Sequence, residues 1–284
     1  MPNASPGRTL LSLFDGTGSI CKPFVDNGWL VRRLDVDGRH GADIVVDILD
    51  WDPSKDWSGP PPDVIFAGPP CEQYSMARST AKTPRNLPLA DSLVAKTVEI
   101  IDYFHRRNPS LQYFVENPDT SMVWKRWVSH RLYHDVGKHP KSVTAAMLSR
   151  NRKVSQWKLA AKVLNVSRGD KHVMRLDYCQ YKAKYRKRTR LMTNNPFVGL
   201  MCNGRCASMV GGRHVEVAQR GPRAHTKASP GAPGKQYHTR DQLHAYPADL
   251  VEVIFRHVDS SPSRTRDGVQ KAKAEPKWDT VNAR

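Results

Sequence analysis

The chain of 284 residues is long enough for one large domain, or for one domain with a smaller appendage. It contains no apolar run of about 18 residues, which excludes a membrane-spanning helix, and its first residues lack the apolar region of a secretory signal. Its five cysteines are odd in number and mostly far apart, so we expect an intracellular, reducing environment rather than a disulfide framework.

The first 120 residues predict alternating strands and helices. The spacing of apolar residues from Leu89 onward indicates a helix, which should end before Pro109. Short apolar runs indicate strands at 8–14, 29–37, 42–48, 60–68 and 111–118. Strands that alternate with helices in this way predict an α/β domain with a doubly wound parallel sheet.

The second half of the chain is less regular. Residues 173–181 indicate a further strand, whereas residues 194–240 are rich in Gly, Pro and Asn and predict a small loop-rich region. The predicted organisation is a catalytic domain at 1–193 with an insertion at 134–172, the small region at 194–240, a C-terminal helix at 241–258 that returns to the first domain, and a disordered tail at 259–284.

The net charge of +18 is concentrated in the middle of the chain. Residues 1–121 carry 12 Lys and Arg against 16 Asp and Glu, whereas residues 122–181 carry 13 against 3 and residues 182–240 carry 13 against 1. Basic charge confined to one part of a protein is typical of binding to a polyanion. We therefore expect a nucleic acid to bind the region 122–240, no membrane partner, a monomer, and a location in the nucleus or nucleoid.

The segment "SLFDGTGS" places glycines at the end of the first predicted strand. Gly16 and Gly18 would let the backbone approach a ligand at the carboxyl edge of the sheet. A dinucleotide fingerprint has a third glycine where this chain has Cys21, which favours a nucleoside ligand without a pyrophosphate. Asp35, 19 residues after Gly16, is placed to bind ribose hydroxyls, and Phe14 to offer its ring to a cationic ligand.

Cys71 follows the fourth predicted strand, directly after two prolines, and Glu116 stands at the end of the fifth. Taken singly, each fits an ordinary structural role, a buried thiol at a turn and a solvated carboxylate. Ligands of open α/β sheets bind outside the carboxyl ends of the strands, so the two side chains should share one edge with the glycine loop. This arrangement favours a nucleophilic cysteine, which attacks as its thiolate.

These residues, in this order, resemble the DNA (cytosine-5) methyltransferases. "FDGTG" (14–18) resembles the family's motif for S-adenosylmethionine, "LDVD" (34–37) the ribose-binding motif and "VDI" (46–48) the adenine-contacting motif. "GPPCEQYS" (68–75) resembles the nucleophile loop, "VENP" (115–118) the Glu-Asn-Val motif and "YRKRTR" (185–190) the Gln-x-Arg-x-Arg motif. The similarity runs from about residue 9 to 258, and short virus-like or phage-like forms of the family resemble it best.

The resemblance implies a fold, a cofactor and a set of roles. The fold would be a Rossmann-like methyltransferase sheet with residues 194–240 as a small target-recognition region. Cys71 would attack C6 of a flipped cytosine, Glu116 would support it at N3, and Asn117 would order the loop that carries Glu116. Arg188 and Arg190 would lie near the base carbonyl and the phosphates, with Arg190 nearer the carbonyl. The residues implied to bind S-adenosylmethionine are Phe14, Gly16, Gly18, Asp35, Asp47, Ile48 and Pro69.

Several residues depart from the family pattern. Glu72 replaces the glutamine after the nucleophile, Pro118 replaces a valine, and Tyr185 or Arg186 stands where the arginine motif begins with glutamine. Two alternatives therefore stay open beside a DNA methyltransferase. One is an RNA cytosine-5 methyltransferase of the same fold, and the other is a catalytically inactive nucleic-acid-binding homologue.

Two cysteines and a histidine in the loop-rich region have part of a zinc-ligand pattern. Cys202, Cys206 and His214 form C-x3-C-x7-H, which lacks a fourth ligand. Cys179 and His225 are the alternatives for the missing position. Because the set is incomplete, the predicted site contains no metal.

Overall fold

The computed structural model describes residues 7–76, 78, 81–127, 173–218 and 238–260. The predicted insertion at 134–172 and residues 261–284 of the predicted tail lie outside the described residues. Among the described residues, no helix has both the length and the apolarity that crossing a bilayer requires.

The strands of the described part form a large sheet and a short hairpin. The large sheet contains β1 (Thr9–Leu13), β2 (Leu30–Asp35), β3 (Ile44–Val45), β4 (Val64–Ala67), β5 (Gln112–Pro118), β6 (Val173–Asp177) and β7 (Arg188–Thr193). The hairpin consists of β8 (Met209–Val210) and β9 (Arg213–His214).

The helices of the described part are short except for two. They are α1 (Lys22–Asp26), α2 (Pro53–Asp56), α3 (Leu87–His105), α4 (Val123–Trp127), α5 (Arg240–His244) and α6 (Ala248–Asp259). Single 3-10 turns cover Gly38–His40 and Tyr178–Tyr181.

The large sheet has the strand order β3-β2-β1-β4-β5-β7-β6. Strands β1 to β5 pair in parallel, and β7 runs antiparallel to both β5 and β6. The chain moves outward from β1 to β3 and then returns to β4 on the other side of β1. This reversal opens a crevice outside the carboxyl ends of β1 and β4, where ligands of open α/β sheets bind.

Alternate residues of each central strand pack into two separate cores, because successive side chains of a strand point to opposite faces. One core, formed with α3 and α4, receives Leu11 from β1 and Ile65 from β4. The other, formed with α1 and α6, receives Leu10 from β1 and Phe66 from β4. The sheet is therefore covered on both faces, as a parallel sheet requires.

The structure confirms the predicted alternation of strands and helices and the parallel pairing of β1 to β5, whereas the antiparallel pairing of β7 and the rest of the second half differ from the predicted parallel sheet. The expected strand at 173–181 ends at Asp177 and continues as a 3-10 turn. Strand β7 was not predicted, since its alternating arginines hide the apolar pattern. The expected helix at 241–258 is two helices, since Pro247 has no N–H to donate and disfavours helical geometry in Tyr246.

The carboxylate of Asp91 joins three segments around the loop that follows β4. Its side chain is buried in α3, accepts a hydrogen bond of 2.7 Å from the Tyr74 hydroxyl and forms an ion pair with Arg126 of α4. A buried charge is tolerated only when it is paired and hydrogen-bonded.

Replacing Asp91 with alanine should lower the free energy of unfolding by about 3–5 kcal/mol, because it leaves the partly buried Arg126 without this partner. Urea denaturation measures the change. Asp26→Ala is the control, since it removes only an exposed ion pair with Lys22 and should cost about 0.5 kcal/mol or less. Equal losses in the two variants would contradict the role given to Asp91.

Candidate active site

The loops that follow β1, β4 and β5 lie on one rim of the sheet. The glycine loop begins after Leu13, the Pro-Pro-Cys loop after Ala67, and Glu116 lies near the end of β5. Parallel pairing of β4 with both β1 and β5 places the three segments side by side. The rim thus brings together the glycines, the thiol and the carboxylate singled out by the sequence.

The glycine loop has the backbone geometry of a tight ligand-binding turn. Gly16 and Gly18 have φ of +54° and +70°, and Phe14 has φ of +55°, which is uncommon for a residue with a side chain. The N–H of Gly16 donates to Asp35 at 2.8 Å, while the other oxygen of Asp35 accepts from the N–H of Asp37 at 2.8 Å. Each carboxylate oxygen keeps a lone pair for a hydroxyl donor.

The glycine loop contains a buried carboxylate, that of Asp15, which was not predicted from the sequence. Asp15 accepts from the Ser12 hydroxyl at 2.5 Å, and from Arg33 at 2.5 Å. The thiol of Cys21, at the position of the missing third glycine, donates to Asp15 at 3.2 Å. Burial raises the pKa of the Cys21 thiol most, and the carboxylate of Asp15 raises it further. This cysteine is therefore a structural part of the loop.

Arg33 explains why Gly18 has no side chain. A Cβ added at Gly18 would lie 2.4 Å from Nη2 of Arg33, whose guanidinium also donates to the carbonyls of His40 and Gly41. The guanidinium is thus fixed on several sides. The one indication of this residue in the sequence was that Arg33 lies two positions before Asp35 in the same predicted strand.

The other residues expected to bind the cofactor lie in different environments. Asp47 is exposed and its carboxylate accepts from the N–H of Leu49 at 2.9 Å, while Ile48 is buried in the core beside α3. Pro69 is buried, and its carbonyl accepts a hydrogen bond of 2.8 Å from the side chain of Asn117. Asn117, the residue after Glu116, therefore fixes the loop that carries Cys71.

Cys71 lies half-buried in a turn closed by the hydrogen bond from the N–H of Tyr74 to its carbonyl. Burial raises the pKa of the Cys71 thiol, and the carboxylate of Glu116 raises it further. The ammonium group of Lys187 acts in the opposite direction and favours the thiolate. Glu116 and Lys187 are thus both close enough to act electrostatically on the Cys71 thiol.

Glu116 is buried, and its carboxylate is held by two hydroxyl groups. The hydroxyl of Thr189 on β7 donates to Oε1 at 2.8 Å, and that of Tyr246 lies 3.5 Å from Oε2. Tyr246 comes from the break between α5 and α6, and a Cβ on Gly68 would lie 2.7 Å from its hydroxyl. Gly68 therefore admits Tyr246 to the rim, a contact with no signal in the local sequence.

The structure places Arg188 and Arg190 on the opposite face of the sheet from Glu116, contrary to the expectation that they reach the base. Arg188 pairs with Asp177 at 3.0 Å, and Arg190 forms an ion pair with Asp119. The reason is the two-residue period of a strand. Glu116 is directly opposite Leu191 of β7, so residues two and four positions before Leu191 share its face.

Lys187 and Thr189 occupy the face that the arginines do not. The Lys187 ammonium donates to the carbonyl of Leu243 at 2.8 Å and lies 4.8 Å from the ring centroid of Tyr178. Neither residue was predicted from the sequence, because the resemblance implied roles for the arginines of the motif instead. The local sequence gave no signal for them, because the face on which each side chain lies depends on the pairing of β7 with β5.

The unusual Glu72 has a partner on the far side of the rim. Its carboxylate forms an ion pair of 2.6 Å with Arg240, both side chains being more than half exposed. The neighbouring Gln73 accepts from the N–H of Asn86, and its own carbonyl accepts from Arg85 at 2.6 Å. The nucleophile loop is thus tied both to the start of α3 and to the segment before α6.

Comparison with known proteins gives one informative similarity. No protein-family model matches the chain. A probable DNA (cytosine-5)-methyltransferase of Frog virus 3 (isolate Goorha) is 28% identical over 219 residues, covering 70% of this chain and 78% of the relative. This similarity confirms the resemblance indicated by the ordered motifs, including the virus-like form. The mixed α/β fold with its mostly parallel sheet fits a methyltransferase.

The alkylation rate of Cys71 should report the charges around it. Because the pKa of Cys71 is raised, its reaction with iodoacetamide should increase with pH above the ordinary range of a thiol. Glu116→Gln removes a negative charge and should shift this profile to lower pH, whereas Lys187→Gln should shift it to higher pH. Peptide mass spectrometry at Cys71 measures the rate.

Glu72→Gln is the matched control, because Glu72 raises the pKa of Cys71 less than Glu116 does. Its shift should have the direction of the Glu116→Gln shift and be smaller. Profiles that coincide in all three variants would disprove the electrostatic coupling.

Proposed function

We propose that this chain transfers a methyl group from S-adenosylmethionine to C5 of cytosine in DNA. The observation that carries the proposal is the half-buried thiol of Cys71 beside the buried carboxylate of Glu116, on the same rim as the glycine loop. The viral relative, named a probable DNA (cytosine-5)-methyltransferase, supports the choice of reaction and of DNA. The basic charge of residues 122–240 supports a polyanionic substrate.

The sheet would act as a Rossmann-like cofactor domain. Its crevice lies at the point where strand order reverses, and Asp35 at the end of β2 keeps acceptor capacity for ribose hydroxyls. The strained turn at Phe14 brings the backbone of Gly16 and Gly18 to the same crevice. Asp47 and Ile48 would contact the adenine. When bound there, S-adenosylmethionine supplies an electrophilic methyl group on a sulfonium.

Cys71 would activate the cytosine by adding to it. The thiolate forms a bond to C6 while N3 accepts a proton from Glu116, and C5 then carries the electron pair that takes the methyl group. The methyl–sulfur bond of the donor breaks with its electron pair left on sulfur. A water molecule then accepts the C5 proton, the electron pair of that C–H bond re-forms the C5–C6 double bond, the C6–S bond breaks to release Cys71 as its thiolate, and N3 returns its proton to Glu116. The cytosine would have to be flipped out of the duplex, because its C5 and C6 atoms are inaccessible within the base stack.

The coupling between Cys71 and Glu116 suits this sequence of steps. The negative charge of Glu116 raises the pKa of the Cys71 thiol, so the charge at Glu116 influences how readily Cys71 forms its thiolate. Thr189 and Tyr246 orient the carboxylate, and Lys187 adds positive charge on the same face. In this proposal Lys187, rather than Arg188 or Arg190, stabilises charge near the base.

The arginines would then have a structural role. Arg188 and Arg190 hold the sheet to Asp177 and Asp119, and Arg190 also lies 5.9 Å from the ring centroid of Trp124. They act on the site only through the position of β7.

The direct test is methyl transfer to defined nucleic acids. The full chain, incubated with labelled S-adenosylmethionine, should label DNA and not RNA, and Cys71→Ser should reduce labelling to background. Glu116→Gln should reduce the rate by about 10²–10⁴-fold, the usual contribution of a positioned acid. DNA with 5-fluorocytosine at its target should form a covalent complex with the wild-type chain alone, because fluorine at C5 blocks the final elimination.

Two outcomes would replace the proposal. Labelling of RNA in preference to DNA would make the chain an RNA methyltransferase of the same fold. No transfer to either, together with salt-sensitive DNA binding, would make it an inactive binding homologue.

The role given to Lys187 is tested by comparing Lys187→Ala with Arg190→Ala, its matched control. A greater loss of rate in Arg190→Ala than in Lys187→Ala would contradict the proposal that Lys187 stabilises charge near the base.

Gly18→Ala should weaken binding of S-adenosylmethionine by at least about tenfold, or about 1.4 kcal/mol. The added Cβ would displace the Arg33 guanidinium, and an alanine at position 18 would have to adopt a positive φ, which is unfavourable for a residue with a side chain. Isothermal titration calorimetry with the free cofactor measures the loss. Gly59→Ala is the control, since Gly59 has φ of +108° with open space around it and lies away from the rim. Equal affinity in the two variants would contradict the placement of the cofactor.

A further inference from the structure

Three thiols and one imidazole meet beside the outer strand β6, away from the proposed catalytic rim. The ligand atoms of Cys179, Cys202, Cys206 and His214 all lie within 4.8 Å of one another. Nε2 of His214 is 3.6 Å from Sγ of Cys202 and 3.4 Å from Sγ of Cys206. The cysteines are free thiols rather than disulfides.

We propose that these four side chains hold a structural zinc ion. Zinc–sulfur and zinc–nitrogen bond lengths place sulfur and nitrogen about 3.6 Å apart on the edge of a tetrahedral site, which matches both measured distances. Three sulfur ligands with one imidazole are typical of zinc in a closed structural site. The site needs no water and leaves no open coordination position, so it has no part in methyl transfer.

The local fold brings the four ligands together from three separate segments. Cys179 lies in the 3-10 turn directly after β6, and it is the buried member of the set. Cys202 and Cys206 flank a loop that turns at Gly204, where φ is +82°. His214 ends the β8–β9 hairpin.

The hairpin has the sequence signature of a tight return. Gly211 and Gly212 have φ of +56° and +77°, the two positive values that a type I′ turn requires. The N–H of Met209 donates to the carbonyl of Cys206 at 3.0 Å, which joins the hairpin to the cysteine loop. The turn therefore carries the chain back so that His214 faces the thiols.

Neighbouring polar groups support thiolates at this place. The N–H of Gly204 donates to Sγ of Cys202 at 3.4 Å, and the N–H of Cys202 donates to the buried carboxylate of Asp177 at 2.8 Å. The guanidinium of Arg188, paired with Asp177 at 3.0 Å, also interacts electrostatically with Cys202. Such outer contacts orient and stabilise the ligands of metal sites.

This proposal revises the expectation of a site without metal. The sequence pattern had only three ligands, and Cys179 supplies the fourth from a position 23 residues before Cys202. His225, the other candidate, lies outside the described residues. The zinc would tie residues 199–216 to the edge of the central sheet.

Metal analysis of the full chain, purified without chelator or metal-affinity tag, tests the proposal. We expect about one zinc per chain, and a cobalt-substituted sample with thiolate charge-transfer bands and intense tetrahedral d–d bands. Cys206→Ser should lose most of the bound zinc. Removal of zinc should increase tryptic cleavage after Arg205 and Arg213, because both lie in the segment that the ion holds.

Two matched variants keep the test valid if Cys206→Ser fails to fold. His214→Cys preserves four ligands, so it should retain zinc and change the cobalt spectrum to that of a four-sulfur site. Cys71→Ser removes a thiol outside the cluster and should retain zinc while losing methyl transfer, which separates this proposal from the proposed function. Two results would overturn the zinc site. One is a wild-type protein that contains no zinc when purified and shows no thiolate–cobalt bands after cobalt is added. The other is a cobalt spectrum that is unchanged in His214→Cys.

Discussion

The parallel pairing of β4 with β5 is the contact on which the proposed site depends. Ala67 is opposite Val115, so the loop leaving β4 and the carboxylate following Val115 emerge side by side. A slip of one residue would exchange the directions of Glu116 and Asn117, because successive strand residues point to opposite faces. Glu116 would then face the core of α3, and Asn117 would no longer reach the carbonyl of Pro69. Glu116 thus supplies the acid from one face of β5, while the adjacent Asn117 holds the nucleophile loop from the other face.

Much of the site was predictable because it depends on the ends of parallel strands. The glycine loop, Cys71 and Glu116 each follow a short apolar run, and parallel strands deliver such residues to one edge. The contacts of Tyr246 and Thr189 were not predictable in this way. They depend on a break at Pro247 and on the register of an antiparallel strand, and neither appears in the pattern of a single segment. Distant pairings are decided by packing across the whole domain rather than by local sequence.

The arginine motif resembles the family pattern, yet its arginines lie on the face of the sheet opposite Glu116. The basic run from 185 to 190 indicated the right part of the chain, but the strand's two-residue period determines which side chains face Glu116. The cysteine cluster is the converse case. Its local spacing was incomplete, and the structure adds Cys179 from the end of another strand. In both cases the sequence supplied candidate residues, and the direction of the backbone decided their neighbours.

Asp177 gives this molecule a mechanical property. Its buried carboxylate accepts from Arg188 of β7 and from the backbone of Cys202, so one charge joins the central sheet to the cysteine loop. Swinging that loop away would strip a donor from a buried anion, at a cost of about 1–3 kcal/mol. Displacement of the loop and hairpin from the sheet therefore carries a free-energy cost in addition to any lost packing. Under the proposed function, a DNA duplex that docked against this loop would meet a segment whose displacement from the sheet costs free energy.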